Sequence, residues 1–284
     1  MNHGAMAGKT VMITGATGGI GLASATALAQ AGASLVLIGR SEARSREAQE
    51  KIHCATGNDR VDFLCADFSS LAEVRRVADV FVTGNRPLHV LLNNAGVMNT
   101  QRKLSRDGFE EMFAVNYLAH YLLTRMLLPC LERSAPARIV HVASNAHAFC
   151  KSINFDDLSH QQRFSAFAVY GHSKLANMLF SNELSRRLHA SGVTSNALHP
   201  GAVATGIGTN NGIAGRVLPL LLKPFFRSPE KGGETAVYLA SSAEVEGVSG
   251  QYFYNSAPLE PKPWVLDAAA ASRLWTLSER LTGS

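Results

Sequence analysis

Only four of the 284 residues are cysteine: Cys54, Cys65, Cys130 and Cys150. No two form a C-x-x-C pair and their spacings fit no zinc pattern, which argues against a zinc module or a disulfide scaffold. Thiols of this kind stay reduced, and a cytoplasmic protein is expected. No H-x-x-x-H joins His141, His147 and His172, so no metal is expected either. No run of five or more like charges occurs, so the formal charge of +5 is scattered rather than gathered into a nucleic-acid-binding tail. No apolar run is long enough to span a bilayer, and residues 1–9 lack the charged-then-apolar order of a signal peptide, so a soluble chain is expected. Charged residues make up 17% against 46% hydrophobic ones, a globular composition too apolar for disorder.

What is present is a regular alternation. Apolar runs at 10–14, 34–39, 61–65, 88–93, 138–143, 193–198 and 251–254 read as strands. Amphipathic stretches at 20–31, 41–53, 71–82, 107–131, 167–189, 229–241 and 268–281 read as helices. Near-continuously apolar strands alternating with helices indicate a parallel sheet covered on both faces. With no linker composition and no internal repeat, one doubly wound α/β domain over 1–284, with about seven parallel strands, is expected.

Thr14-Gly15-Ala16-Thr17-Gly18-Gly19-Ile20-Gly21 lies between the first strand and the first helix. There glycines serve a tight turn, close approach of the backbone to a pyrophosphate, and close helix packing. The helix N-terminus adds free N–H groups and the positive end of a dipole. The second strand ends in Gly39-Arg40-Ser41 where an NAD enzyme carries an acid. The Arg40 guanidinium can pair with a 2′-phosphate and Ser41 can add a hydroxyl, which points to NADP(H). The small residues of Asn93-Asn94-Ala95-Gly96 would let the backbone pass close to a ribose. Tyr170 and Lys174, i and i+4 on one helix, share a face, and an ammonium near a phenol would lower its pKa toward neutrality. Lys174 can also bond ribose hydroxyls. Ser144, at the end of the fifth strand, can donate to a substrate oxygen. No G-x-S-x-G elbow surrounds it, which argues against a hydrolase nucleophile.

The G-x-x-x-G-x-G form and the ordered motifs resemble the short-chain dehydrogenases/reductases over nearly the whole chain. The stretches Asp107-Gly108-Phe109-Glu110, Asn116-Tyr117-Leu118-Ala119-His120, His172-Ser173-Lys174-Leu175-Ala176-Asn177 and Leu274-Trp275-Thr276-Leu277-Ser278 are similar to the retinol dehydrogenase-like branch. The resemblance implies a seven-stranded sheet, nicotinamide coenzyme binding, and an Asn116, Ser144, Tyr170, Lys174 tetrad. In that family the asparagine bends its helix and holds a water that relays protons through the lysine. The resemblance further implies coenzyme contacts from Gly15, Thr17, Gly18, Gly19, Ile20 and Gly21, from Asn94, Ala95 and Gly96, and from Pro200, Gly201, Val203 and Thr205. Asp67 and Phe68 would meet the adenine, although Asp67 reads equally as a cap for the helix starting near Ser70. The interval from Ser144 to Tyr170 is 26 residues, about twice the family's commonest spacing. In many relatives the helices at 107–131 and 167–189 pair subunits, so a homodimer is possible here. The apolar segment 217–226, within a substrate-covering stretch at about 203–228, reads as a lid over a lipophilic substrate, as core, or as membrane contact.

These residues together imply hydride exchange between NADP(H) and a carbonyl or alcohol. Two rivals remain open. One is a catalytically idle NADP(H)-binding regulator; the other is an epimerase or enoyl reductase of the same fold.

Overall fold

Strands β1 (Thr10–Thr14) and β2 (Ser34–Gly39) are buried along nearly their whole length, as runs without polar alternation must be. They open a computed structural model in which residues 4–203 and 227–284 are described. The other strands are β3 (Val61–Cys65), β4 (Val90–Asn93), β5 (Ala137–Val142), β6 (Val193–Leu198), β7 (Tyr252–Tyr254) and β8 (Ala257–Pro258). The helices are α1 (Gly19–Gln30), α2 (Glu42–Thr56), α3 (Leu71–Thr83), α4 (Glu111–Phe113), α5 (Ala119–Arg133), α6 (Ala166–Arg187), α7 (Pro229–Ser241) and α8 (Ala268–Thr282).

The strands form one sheet in the order β3-β2-β1-β4-β5-β6-β7-β8. The first seven are parallel, with Met12 registered against Val36 on one side and Leu91 on the other. Alternate residues feed two cores: Met12 and Leu91 face α3, α5 and α6, while Val11, Ile13 and Leu92 face α1, α2 and α7. The chain runs outward from β1 to β3 and then returns to β4 beside β1. This reversal opens a crevice at the carboxyl ends of β1 and β4. The Thr14 hydroxyl closes the seam below it, accepting the Asn94 and Ala95 amides at 2.8 and 2.9 Å.

The seven parallel strands match the expectation, with one addition to the sheet, and one expected helix needs correction. The sheet has an eighth strand, antiparallel to β7, reached through a two-residue turn in which Asn255 and Ser256 both have positive φ. This is the turn type that two-residue hairpins require, but a two-residue strand carries no periodicity to read. The expected helix at 107–131 is not continuous. It starts at Glu111 and is interrupted by a π-turn at Ala114–Leu118. Asp107 serves a different helix, its carboxylate accepting the Leu71 amide of α3 at 2.7 Å.

The C-terminal helix α8 packs along α6. Trp275 is buried between the Arg125 and Arg187 guanidinium groups, 5.0 and 4.1 Å from its ring, and the Tyr117 hydroxyl meets Ser278 Oγ at 2.7 Å. A subunit pairing through α5 and α6 would have to use the faces α8 leaves open. Among the described residues no helix is long and apolar enough to cross a membrane. The segment 217–226 and Thr205 lie outside the described residues.

Candidate active site

Close backbone approach shapes the loop between β1 and α1. Gly15 has a φ of 66°, in the left-handed region, and a Cβ there would lie 2.9 Å from Ala95 Cα. A Cβ on Gly21 would lie 2.3 Å from the Gly15 carbonyl oxygen and 2.6 Å from Asn94 Nδ2. Both partners are held in place, since Asn94 Nδ2 donates to Thr14 O at 2.7 Å and to Gly15 O at 3.3 Å. Gly21→Ala must therefore push α1 off the loop. The expected result is a loss of about 2 kcal/mol of stability and roughly tenfold or greater weakening of nicotinamide coenzyme binding. Denaturant titration and coenzyme fluorescence measure both, and wild-type values in the two would refute the packing argument.

The loop lines a cleft of about 560 Å³. Its walls bring together Gly15, Thr17, Gly18, Gly19, Ile20 and Gly21 with Arg40, Ser41, Asp67, Phe68, Asn94, Ala95 and Gly96. Helix α1 begins without a side-chain cap and without an acid in its first turn. Its free N–H groups and dipole thus face the cleft, which fits a pyrophosphate.

The end of the cleft beside Arg40 and Ser41 has a second cation that sequence reading missed. Arg44 also lines the cleft, and its Nη2 lies 3.4 Å from a Cβ built on Gly18. The signal was available: like Arg40, it is a cation at a helix N-terminus, where the dipole disfavours it unless an anion is present. Ser41 caps α2 by accepting the Arg44 amide at 3.4 Å, leaving its own proton free to donate. Asp67 does not cap α3. Ser70 does so, while Asp67 accepts the Ser69 amide at 3.0 Å and faces Arg106 at 3.4 Å. Gly39 of the Gly39-Arg40-Ser41 stretch also lines it, and Ile38, Ala66, Val97, Glu111 and Val115, which no motif marks, complete the wall.

The segment after β6 reaches the same region. Gly201 has a φ of 80° and packs against the Arg227 side chain. Val203 bridges to Arg227, and a Cβ on Gly232 would lie 2.6 Å from Val203 Cγ2 and 3.3 Å from Ile20 Cγ1. Val203 and the glycine loop are thus neighbours through α7. Pro200 follows His199, whose ring stacks on Tyr254 at 4.1 Å.

Gly96, on the cleft wall, stands beside two of the four tetrad positions, Asn116 and Lys174. A Cβ there would lie 3.4 Å from Asn116 Oδ1 and 3.6 Å from Lys174 Nζ. Asn116 sits in the π-turn, fully buried. Its Oδ1 accepts the Val97 amide at 2.7 Å, and its Nδ2 donates to Val97 O at 3.0 Å and Ser173 Oγ at 2.9 Å. Lys174 Nζ donates to Val142 O, at the end of β5, at 2.9 Å. Ser144 Oγ accepts the Ala146 amide at 3.2 Å and is hydrogen-bonded to Tyr170. The long interval between Ser144 and Tyr170 does not separate them, because the intervening chain folds back on α6. A Cβ on Gly171 would lie 2.6 Å from Cys150 Sγ, and the His160 ring stacks on His172 at 5.1 Å.

The electrostatics depart from expectation. Burial pushes the Tyr170 phenol up to about 12, with the Ser144 hydrogen bond opposing it. Burial also pulls the Lys174 ammonium from 10.5 to about 8. Lys174 Nζ stands 5.7 Å from the Tyr170 ring centroid and is occupied by a carbonyl. The expected acidification of the phenol by the ammonium is absent in this arrangement, and desolvation sets the direction of the shift. Among the described residues no group of His, Cys, Asp and Glu could hold a metal ion.

Residues 9–213 match the family model for the short chain dehydrogenase. Human retinol dehydrogenase 14 is 41% identical, the match covering 99% of this chain and 88% of that protein. Human retinol dehydrogenase 13 is 42% identical, covering 97% and 85%. Among solved structures, an uncharacterized protein from Mycobacterium paratuberculosis superposes with a TM-score of 0.78 at 32% identity, covering 98% of this chain and 94% of that one. The NADP complex of RhlG from Pseudomonas aeruginosa gives 0.70 at 25% identity, covering 89% and 97%.

Proposed function

Because the chain belongs to the short-chain dehydrogenase family, in its retinol dehydrogenase-like branch, we propose that this carbonyl/alcohol oxidoreductase uses NADP(H) and acts on a lipophilic small molecule. The observation that carries the reading is the junction at Gly96, where a cleft suited to a dinucleotide ends against Asn116 and Lys174. A bound nicotinamide supplies or accepts the hydride. Tyr170, protonated at neutral pH, gives its proton to the carbonyl oxygen. Ser144 holds that oxygen, and the two hydroxyls together meet the charge that develops on it. Lys174 holds the coenzyme ribose, and Asn116 fixes the backbone at Val97. Arg40, Ser41 and Arg44 would bind the 2′-phosphate.

A lipophilic substrate is supported by the surroundings of Tyr170. It clusters with Met112, Ala146 and Val169, flanked by Val97, Met98 and Phe164. Phe149 and Phe167 form an exposed ring pair at 5.4 Å on the same loop and helix. The four free cysteines suit a reducing compartment, and we place the protein in the cytoplasm.

Assaying NADPH and NADH oxidation against apolar aldehydes and ketones tests the reading. Arg40→Ala and Arg44→Ala are each expected to weaken NADPH, and not NADH, by roughly tenfold, the value of one charge-assisted hydrogen bond. Unchanged coenzyme preference in both would overturn the NADP assignment. Coenzyme binding without turnover on any carbonyl would favour the regulator.

A further inference from the structure

His120 lies on the first turn of α5, fully buried, and nothing in the chemistry above uses it. We propose that it is a positioning residue that joins the coenzyme seam at Thr14 to the main-chain carbonyl of Asn116, and that it does so as the neutral Nδ1–H tautomer.

The tautomer follows from counting protons. Thr14 Oγ1 accepts two amides, from Asn94 and Ala95, at 2.8 and 2.9 Å. Those bonds use its acceptor capacity, so the hydroxyl must donate its one proton. Two acceptors are in range: His120 Nε2 at 3.0 Å and Leu92 O at 3.4 Å. The shorter contact takes it, which makes Nε2 an acceptor. The ring proton is then on Nδ1, aimed at Asn116 O at 3.0 Å. A second proton on the ring would face the Thr14 hydroxyl proton with no acceptor. Burial acts in the same direction, pulling the imidazolium down to about 3, with Lys174 adding repulsion. The Phe68 ring closes the site edge-on at 5.5 Å, and no carboxylate faces His120 among its described contacts.

The consequence is a continuous set of bonds between two halves of the site. The Thr14 hydroxyl sets the backbone at Asn94 and Ala95, on the cleft wall. His120 passes that position to the π-turn carbonyl. The Asn116 carboxamide then grips Val97 and Ser173, next to Gly96 and Lys174. A π-turn carries an extra residue and poorer hydrogen-bond geometry than an α-helix, so its carbonyl benefits from a fixed donor. The imidazole spans a gap that neither a shorter nor an apolar side chain bridges at both ends.

Three variants separate the two ends. His120→Asn places an amide nitrogen near Nδ1 and retains donation to Asn116 O. His120→Gln places an amide oxygen near Nε2 and retains the Thr14 contact. His120→Leu keeps volume and loses both. Turnover at saturating coenzyme should fall roughly tenfold to hundredfold in the Leu and Gln variants, the scale of a small misplacement of reacting groups. It should recover to within about threefold in the Asn variant. NADPH affinity, read by fluorescence titration without substrate, should weaken in the Leu and Asn variants and recover in Gln. A purely structural histidine would instead lower thermal stability in all three and leave kcat per folded site and NADPH affinity equal among them; that pattern overturns the proposal. Nitrogen-15 NMR of the histidine rings should show His120 protonated on Nδ1 alone from about pH 5 to 8. A charged ring or an Nε2–H tautomer also overturns it. The turnover arm rests on the hydride-transfer reading; the coenzyme and NMR arms do not, so a failure of that reading is distinguishable from a failure of this one.

Discussion

Tyr170→Phe is expected to lower turnover by about 10³-fold or more while the protein folds and binds NADPH as before. The substitution removes one oxygen from a residue that is 9% exposed and leaves the ring in its apolar cluster. The lost hydrogen bond to Ser144 is worth about 1 kcal/mol, too little to unfold a domain of this size. The chemical loss is larger. With its pKa pushed up to about 12, the phenol is the protonated form at neutral pH, and phenylalanine offers no O–H in its place. A positioned general acid contributes typically 10²- to 10⁴-fold. The measurement is kcat for NADPH oxidation with an apolar ketone, alongside coenzyme titration of the same sample. Turnover within tenfold of wild type would remove Tyr170 from the mechanism.

Lys174→Met should stop turnover and at the same time make the protein more stable at pH 7. The ammonium is 2% exposed, held by one carbonyl, and shifted from 10.5 to about 8. Between those two values the unfolded chain binds more protons than the folded one, so the lysine's contribution to stability rises with pH across that window. Below about pH 8 the cost of burying the charge is complete, on the order of 3 kcal/mol; above about 10.5 it has gone. Methionine fills similar space and never ionises. Losing the bond to Val142 O returns about 1 kcal/mol of that gain, leaving a net advantage near 2 kcal/mol at pH 7 that shrinks as pH is raised. Denaturant titrations at about pH 7 and pH 10 measure it. A variant less stable than wild type at pH 7, or an advantage that grows with pH, would contradict the burial argument. Stability given up at one buried cation is what a site that must hold an anionic coenzyme and a reactive oxygen would be expected to show.

The alternation of apolar runs and helices, and the glycines between β1 and α1, were readable because they are local. A strand buried on both faces must be apolar throughout, and a glycine-rich turn at a helix start has few other uses. The placement of Arg40 just after a strand end, and of Tyr170 and Lys174 on one helix face at i and i+4, was local in the same way. Tertiary structure alone decided the rest. An extra residue in a helix leaves the 3.6-residue pattern nearly intact, so the π-turn at Asn116 left no mark in the periodicity, and only the family resemblance pointed to a bend there. Asp107 and His120 act across gaps of many residues: Asp107 meets Leu71 of α3, and His120 meets Thr14 where α5 crosses the end of β1. The direction of the Tyr170 shift was also beyond the sequence, because it depends on how much water the surrounding side chains exclude and on where one lysine, given a free choice of partners, makes its hydrogen bond.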